Sequence, residues 1–484
     1  MARLLNTLGL SFDDVLLVPR RSPISSRREV STRSRLTHKI TLNLPIVSAA
    51  MDTVTESAMA IAMAREGGIG VIHRFMPMEK EAEEVLKVKR AENIVIEDPY
   101  TISPEAKVRE AKQMMRRFQV SGLLVVDGER KLLGIVTRRD ILFQDDAASV
   151  KDVMTPRKDM IVSSPGIGME EAREIFKKHK IEKLPLVDEE DRLVGLITSS
   201  DLVKRSKYPQ ASRDEKGRLL VAAAIGVKEE SVRRAELLVE AGADVLVIDV
   251  AHGHSELVIK MLRRIKGEFG DEVEVIAGNV ASPKGVEDLA SAGASAVKVG
   301  VGPGSVCTTR VVAGVGVPQL TAIMQCAEAA EAMDVPIIAD GGIRSSGDVV
   351  KALAAGASTV MIGRLLAGTD ESPGAIVVKD GKKHKIYRGM ASLYAMLGRE
   401  ARANSEVEYL LDASEYSYYA EGIEAYVPYT GSASEVVRQL AAGLRSGMSY
   451  LGARTIEELQ RNAVFIRITP SALRESLPHD VEKV

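Results

Sequence analysis

Short apolar runs rich in Val, Ile and Ala alternate with segments of helical periodicity over most of this chain. Such runs are typical of parallel strands that are buried on both faces and joined by crossover helices. Outside residues 93–207 there are eight of them, at 45–51, 68–73, 221–226, 245–250, 273–280, 296–302, 336–342 and 359–366. Eight strand–helix units predict an α/β fold of the (β/α)8 TIM-barrel type, whereas an open doubly wound sheet would show a glycine fingerprint after an early strand.

A repeated pattern interrupts the predicted barrel after its second strand. The sequence Leu-Leu-Val-Val-Asp at 123–127 recurs as Leu-Pro-Leu-Val-Asp at 184–188, and 133–140 recurs in similar form at 194–201. A helix is expected before each copy, because residues that recur at helical spacing precede it. These residues are Val108, Ala111, Met115 and Phe118 in the first copy, and Ala172, Ile175, Phe176 and His179 in the second. We therefore expect two α/β half-modules, 93–150 and 151–207, inserted into a barrel formed by 1–92 and 208–484.

Composition narrows the class of protein. The 65 basic and 67 acidic side chains give a net charge of −2, so the overall charge attracts neither nucleic acid nor an anionic membrane. Only two cysteines occur, Cys307 and Cys326, which excludes a disulfide framework and favours a reducing, cytoplasmic compartment. No uncharged apolar run approaches the roughly 18 residues of a membrane-spanning helix, and the acidic pair at 13–14 disfavours a signal peptide. We expect a cytoplasmic enzyme.

Residues that could take part in binding or catalysis lie where the predicted strands end. Asp249 ends the fourth strand, a glycine-rich loop with Cys307 follows the sixth, Asp340-Gly341-Gly342 ends the seventh, and 363–364 follows the eighth. Barrels of this type carry their chemistry at the carboxyl ends of the strands. Glycines there let backbone amides approach an oxyanion, so the pattern indicates a phosphorylated substrate.

Cys307 is the candidate nucleophile. Its loop contains three glycines and a proline, so backbone amides could stabilise a thiolate, and the hydroxyls of Ser305, Thr308 and Thr309 are adjacent. The alternative is a small residue that fills a turn. Cys326 lies in a helical stretch and is expected to be structural.

Asp249, His252 and His254 superficially suggest a metal site, since carboxylate and imidazole suit zinc or iron. No third histidine or carboxylate motif completes the set. A hydrogen-bonding role for Asp249, for instance to ribose hydroxyls, is the favoured interpretation.

Several motifs together resemble the family of inosine monophosphate (IMP) dehydrogenase and guanosine monophosphate (GMP) reductase. They are Gly-Val-Gly-Pro-Gly-Ser-Val-Cys-Thr-Thr-Arg at 300–310, Ala-Asp-Gly-Gly-Ile at 339–343, Tyr-Arg-Gly-Met at 387–390, Asp-Asp-Val-Leu-Leu at 13–17 and Ser-Ala-Ala-Met-Asp at 48–52. The inserted repeat resembles the tandem cystathionine β-synthase (CBS, or Bateman) module that this family carries. The likeness covers nearly the whole chain.

The resemblance to the dehydrogenase implies that Cys307 attacks C2 of IMP and that hydride passes to NAD. A covalent thioimidate would remain, to be hydrolysed to xanthosine monophosphate (XMP) on the route to guanine nucleotides. It implies that the nucleotide is held by Ser305, Asp340, Gly341, Gly342, Gly363, Arg364, Tyr387, Arg388, Gly389, Met390, Ala391 and Glu421. It also implies that NAD meets Asp249, Gly300, Val301 and Gly302.

The resemblance further implies a potassium ion held by backbone carbonyls of Gly302, Gly304 and Cys307. The family completes this site across subunits with a C-terminal Glu-Ser-His, which is Glu475-Ser476-Leu477 here. A homotetramer or octamer is therefore expected, with a potassium site that departs from the family's pattern at Leu477.

A second departure concerns the base that activates water. The family's dehydrogenases place an Arg-Tyr pair on a mobile flap, but no Arg-Tyr dipeptide occurs between Met390 and Gly422, and the best-spaced match is Glu408-Tyr409. We expect Glu408, with Tyr409 and Thr309, to serve in catalysis. Two alternatives stay open: a GMP reductase, in which Cys307 expels ammonia from GMP and NADPH returns hydride, and a nucleotide-sensing protein with impaired catalysis.

The inserted module has its own candidate site. Thr137-Arg138-Arg139-Asp140 and its counterpart at 198–201 could take the phosphate and ribose of a regulatory purine nucleotide, with extra phosphate donors in the first copy. The alternative is a spacer or an oligomer contact.

Overall fold

The computed structural model describes residues 4–92, 95–393, 395 and 420–478. It divides into two compact units, Met1–Ala91 with Gln210–Val484, and Glu92–Pro209. None of the helices within these described ranges is long and apolar enough to cross a membrane.

The strands follow one another along the described chain as β1 (Val15–Leu17), β2 (Ser34–Arg35), β3 (Thr41–Leu42), β4 (Ile46–Ser48), β5 (Ile69–Ile72), β6 (Thr101–Ile102), β7 (Gly122–Val126), β8 (Leu132–Thr137), β9 (Thr155–Pro156), β10 (Lys183–Val187), β11 (Leu193–Thr198), β12 (Ala222–Ile225), β13 (Val245–Asp249), β14 (Glu274–Val280), β15 (Ala296–Val299), β16 (Ile337–Asp340), β17 (Thr359–Ile362), β18 (Ile376–Lys379), β19 (Lys382–Arg388), β20 (Glu424–Pro428) and β21 (Phe465–Arg467).

The α-helices are α1 (Ser57–Arg65), α2 (Met78–Ala91), α3 (Val108–Arg117), α4 (Arg138–Ile141), α5 (Val150–Val153), α6 (Met169–His179), α7 (Ser199–Lys207), α8 (Glu230–Glu240), α9 (Glu256–Phe269), α10 (Pro283–Ser291), α11 (Thr309–Val312), α12 (Gln319–Ala332), α13 (Ser346–Ala354), α14 (Arg364–Ala367), α15 (Ala433–Tyr450), α16 (Ile456–Asn462) and α17 (Pro470–Glu475).

Eight parallel strands close into a barrel in the first unit, in the order β4, β5, β12, β13, β14, β15, β16, β17 and back to β4. All eight lie within the predicted apolar runs, so the TIM-barrel prediction is confirmed. Alternate residues of each strand point inward. On β12, for example, Ala222 and Ala224 join the central cluster, together with Val245 and Val247 of β13.

Side-chain caps start the helices soon after the strands end. The hydroxyls of Ser255, Ser282 and Ser345 accept hydrogen bonds from the first-turn amides of α9, α10 and α13. Because such caps satisfy otherwise unpaired amides, they fix where each helix begins. The loops that follow Asp249 and Asp340 are therefore short and anchored at both ends.

The second unit contains two β-hairpins with the same pairing. Gly122 faces Thr137 in β7–β8 and Lys183 faces Thr198 in β10–β11, and each hairpin has a register shift near the end of its first strand. The helix α3 buries Val108, Ala111 and Met115 against the first hairpin, and α6 buries Ala172 and Phe176 in the second half, whereas His179 is exposed. The repeat in sequence is thus a repeat in structure.

A buried lysine within the first unit pairs with a residue that follows the insertion in sequence. Lys89, near the end of α2, has a side chain that is 3% exposed and donates to Asp244 at 2.6 Å and to Asp214 at 3.1 Å. Lys89 shortly precedes the inserted unit and Asp214 shortly follows it. The barrel therefore fixes the entry and exit of the insertion through its own contacts.

Candidate active site

The loop after β15 packs directly against the end of β16. Gly300 has φ +150°, and a Cβ there would lie 2.0 Å from the backbone oxygen of Asp340. Only glycine permits this approach. The loop is thereby held beside Asp340, which brings Cys307 to the carboxyl end of the barrel, where the sequence predicts the chemistry.

Cys307 begins a series of three hydrogen-bonding side chains. Its half-buried Sγ donates to Thr309 Oγ1 at 3.2 Å, and the Thr309 hydroxyl donates to Glu421 Oε2 at 2.7 Å. A proton that leaves the thiol can therefore pass through Thr309 to a carboxylate. This arrangement suits a nucleophile with an adjacent base.

Backbone hydrogen bonds hold Glu421 in this place. The amide of Thr308 donates to the Glu421 carbonyl at 2.8 Å, and the amide of Ile423 donates to the Val306 carbonyl at 3.0 Å. On the other side, the amide of Glu421 donates to the carbonyl of Ala391 at 3.1 Å. Residues 421–423 thus lie between the cysteine loop and the segment after β19.

A cavity of about 200 Å³ surrounds Cys307. Eleven of the twelve residues expected to hold the nucleotide line it, all except Arg388. They are Ser305, Asp340, Gly341, Gly342, Gly363, Arg364, Tyr387, Gly389, Met390, Ala391 and Glu421. The cavity also contacts Ala49, Met51 and Met361 from the barrel strands and their loops.

Arg388 was expected to help hold the nucleotide, but its side chain points away from this cavity. Its guanidinium forms an ion pair with Asp52, with Nε 3.0 and 3.1 Å from the carboxylate oxygens, and lies 3.6 Å from Glu424. The reason is the period of two on β19, because Tyr387 points into the cavity and its neighbour points away. Burial raises the pKa of Tyr387, so its phenol stays protonated.

A buried lysine that the sequence analysis missed links the two site aspartates. Lys298 of β15 is 1% exposed, and its Nζ lies 2.6 Å from Asp249 Oδ1 and 2.9 Å from Asp340 Oδ2. Burial alone lowers the pKa of this ammonium, but the carboxylates of Asp249 and Asp340 more than offset it and raise the pKa. Asn279 Nδ2 also donates to Asp340 Oδ2 at 2.9 Å and to the carbonyl of Gly300 at 2.8 Å.

The candidate metal residues point to different partners. Asp249 pairs with Lys298, His254 Nε2 lies 2.9 Å from Asp288, and His252 is exposed. In the ranges that the structure covers, His, Cys, Asp and Glu side chains form no group of three that could hold a metal ion.

The residues expected at the potassium site fall into two groups. Gly302, Gly304 and Cys307 share the loop after β15, where the Cys307 amide donates to the Gly304 carbonyl at 3.1 Å. The guanidinium of Arg310 lies over this loop and donates to the Val301 carbonyl at 3.3 Å. The other group is Glu475, Ser476 and Leu477, which are exposed at the end of α17.

The remaining candidate residues differ in their burial. Cys326 is fully buried in α12, and burial raises the pKa of its thiol to about 12, so it is not a nucleophile at neutral pH. Glu408 and Tyr409 lie outside the described residues. Of the expected NAD contacts, Asp249 is 27% exposed and Val301 is buried.

The comparisons with known proteins all point to the same family. The model of the IMP dehydrogenase / GMP reductase domain matches residues 9–479. The chain is 54% identical over 473 residues to the inosine-5'-monophosphate dehydrogenase of Nitrosopumilus maritimus, covering 98% of each chain. It is 56% identical over 477 residues to that of Aquifex aeolicus, covering 98% of this chain and 96% of the relative. Among solved structures, GMP reductase of Trypanosoma brucei in complex with guanosine 5'-monophosphate matches with a TM-score of 0.91 and 48% identity, over 98% of each chain.

Proposed function

The chain belongs to the IMP dehydrogenase / GMP reductase family, and from this premise we propose that it oxidises IMP to XMP with NAD through a covalent bond from Cys307. It is an NAD-dependent oxidoreductase. The observation that carries the proposal is the Cys307–Thr309–Glu421 series in a cavity rich in backbone amides, in a chain whose curated relatives are IMP dehydrogenases.

The cavity suits a nucleoside monophosphate. Asp340 offers one carboxylate oxygen to ribose hydroxyls, since Lys298 and Asn279 occupy the other. Glycines at 341, 342 and 363 let amides reach a phosphate, and Arg364 adds a guanidinium that bonds to no other described residue. The purine would then lie toward Cys307.

The first half of the reaction oxidises C2. The Cys307 sulfur bonds to C2 of IMP while the thiol proton passes through Thr309 to Glu421. The hydrogen on C2 then leaves with its electron pair as hydride. Accepting that hydride is the chemistry that NAD supplies when bound. A thioimidate between Cys307 and the purine remains.

The second half hydrolyses this thioimidate. Water adds to C2, the carbon–sulfur bond breaks, and XMP leaves while Cys307 returns to a thiolate. Once Glu421 has released its first proton to solvent, the Thr309–Glu421 pair can accept a proton from the attacking water. Glu408 is the further candidate for this step.

The end of β13 and the loop after β15 suit the dinucleotide. One oxygen of Asp249 binds Lys298, and the second is left for a ribose hydroxyl. Gly300, Val301 and Gly302 would provide the adjoining backbone surface. NAD would therefore meet the nucleotide beside Cys307.

Potassium suits the same loop. The carbonyls of Gly302, Gly304 and Cys307 are oxygen ligands on one turn, and Glu475, Ser476 and Leu477 of a neighbouring subunit would complete the set. If so, activity rises with added KCl relative to NaCl at equal ionic strength. Equal activity in both salts would remove potassium from the account.

GMP reduction is the second candidate, and two observations favour it. Residues 391–421 contain no Arg-Tyr pair, and a GMP reductase of Trypanosoma brucei matches the chain over 98% of its length. In that reaction the Cys307 sulfur bonds to C2 of GMP and displaces ammonia, hydride from NADPH would then restore C2–H, and the carbon–sulfur bond breaks to release IMP. Parallel assays separate the two, with NADH release from IMP and NAD supporting oxidation. Ammonia release from GMP and NADPH, without the first activity, supports reduction.

A regulatory purine nucleotide is expected in the second unit, which has the character of a tandem CBS module. A cavity of about 380 Å³ there is lined by Arg138, Arg139, Lys180 and Lys183. Lys183 donates to Ser121 at 2.7 Å, and burial, together with the two guanidinium groups, lowers its pKa. Asp159 and Glu182 line the same cavity, so its basic side chains outnumber its acidic ones by four to two, and this excess of positive charge suits a polyphosphate.

Thr137 also lines this cavity, and its side chain is paired with that of Asp140. Both the amide and the hydroxyl of Thr137 donate to Asp140 Oδ2, at 2.7 and 2.8 Å, so these residues cap α4. The four basic side chains are therefore the proposed phosphate contacts, with Thr137 beside them on the cavity wall. Titration with ATP and GTP tests this, with the double variant Arg138→Ala/Arg139→Ala expected to lose binding and Arg117→Ala as the control.

The proposal includes assembly of the protein into a homotetramer or octamer in the cytoplasm. Apolar side chains stand exposed on the β1–β21 ribbon, including Leu16 and Ile466, which face each other. Val311 of α11 and Val315 shortly after this helix are exposed as well. Burial of such surface between copies favours assembly. Light scattering on purified protein would give the number of subunits, and a monomer would refute this part.

A further inference from the structure

Four neighbouring barrel strands contribute one polar network beneath the cavity. Asp249 ends β13, Asn279 lies on β14, Lys298 on β15, and Asp340 ends β16. Gly278 makes room for the lysine, because a Cβ there would lie 2.6 Å from Lys298 Cβ. The lysine side chain is therefore held in the barrel interior.

Lys298 contacts one oxygen of each aspartate. Its ammonium carries three N–H donors, and it lies within hydrogen-bond distance of Asp249 Oδ1 and Asp340 Oδ2. The side chains of Asp249 and Asp340 remain 27% and 20% exposed. Each carboxylate is thus fixed from below by the same cation and has a second oxygen for a ligand.

We propose that Lys298 is a positioning residue for both ligands at once. It orients Asp340 toward the ribose of the nucleotide and Asp249 toward the dinucleotide, without touching either. This inference rests on the proposed function, which assigns those two ligands to the two aspartates. Its consequence is that the loss of one buried charge weakens two separate binding sites together.

The test measures equilibrium binding in a Cys307→Ala background, where no covalent bond forms. IMP and NAD are titrated separately by calorimetry, with GMP and NADPH as further probes. In Lys298→Gln we expect both dissociation constants to rise about tenfold or more, because both carboxylates lose their charged donor. In Asp249→Asn, Lys298 still holds Asp340, so the NAD constant rises while the IMP constant changes by less than about twofold.

Matched variants separate positioning from general damage. Lys298→Arg keeps the positive charge and is expected to retain both affinities better than Lys298→Gln. Lys284→Gln removes a lysine that is 67% exposed and pairs with Asp288, and should change neither affinity. In the active enzyme, the KM values for IMP and NAD rise in Lys298→Gln more than kcat falls.

A buried unpaired carboxylate can unfold a protein, so a second variant is needed. Lys298→Gln/Asp249→Asn has one fewer unpaired charge, and we expect it to bind IMP about tenfold more weakly than Asp249→Asn alone. A change in only one ligand's affinity in Lys298→Gln, or equal IMP affinity in the last two variants, overturns the inference. Failure of the Cys307→Ala parent to bind either IMP or GMP would instead refute the proposed function.

Discussion

Replacement of Thr309 by valine tests the route of the proton most sharply. Valine has nearly the shape of threonine but cannot hydrogen-bond, so Thr309→Val removes the link between the Cys307 thiol and Glu421. The nucleotide would still be held by Asp340 and by backbone amides. We therefore expect a loss of turnover without a loss of binding.

The structure gives the expected size of the loss in folding stability and of the loss in turnover. Two hydrogen bonds are lost, but Glu421 is half-buried and water can replace its partner, so the cost to folding is about 1 kcal/mol. Against a typical stability of about 5–15 kcal/mol the variant stays folded. General acid–base catalysis contributes about 10²-fold or more, so we expect kcat to fall by about 10²-fold, which is close to 3 kcal/mol in the barrier.

The assay combines steady-state turnover of IMP and NAD with titration of IMP. Thr309→Ser keeps the hydroxyl and should recover most of the lost rate, and Thr308→Val is the control on the neighbouring residue, whose side chain caps no helix amide. Thr309→Val with a turnover within about threefold of the parent would refute the relay. So would Thr309→Ser with a defect as large as that of Thr309→Val.

Cys307→Ala should abolish turnover and keep IMP binding within about tenfold, whereas Cys326→Ala should stay active, and equal losses in both would mean that the nucleophile is misassigned. Deletion of residues 93–207, with a short linker in their place, should leave an active barrel that no longer responds to nucleotide, because Lys89 and its partner Asp214 fix the chain near both ends of the deletion. Circular dichroism and turnover would check this, and an unfolded product would refute the domain boundaries. Glu408→Gln should retain a rapid NADH burst and slow the steady phase by about 10²-fold in stopped-flow absorbance, and an unchanged steady rate would make Glu408 a bystander.

The barrel could be predicted from sequence because its strands are buried on both faces. Each strand consists mostly of apolar residues, and all eight predicted runs contain the observed strands. The runs extend beyond the strands where glycines follow, as at 300–302, because glycine in an apolar run does not reveal that the chain has left the sheet. The Cys307 loop could still be identified, because a proline, a serine and two threonines around Cys307 depart from the composition of a buried strand.

The partners within the site could not be predicted from sequence. Lys298 stands out as a charge inside the predicted run 296–302, but its acceptors lie on strands far away along the chain. Glu421 was expected near the nucleotide, and only the folded backbone places it against Thr309. The resemblance to the family implied Arg388 as a nucleotide contact, and only the structure shows that the alternation along β19 turns its side chain to Asp52.

The most direct test of the account is a single quench experiment on the unmodified enzyme. The protein is mixed with IMP and NAD, NADH is followed optically, and the reaction is stopped in acid for mass analysis of the peptide that contains Cys307. The account predicts NADH, XMP, and a purine nucleotide attached to Cys307 at a stoichiometry that follows the NADH burst. No NADH and no adduct from IMP and NAD, with ammonia released from GMP and NADPH by the same preparation, would contradict it.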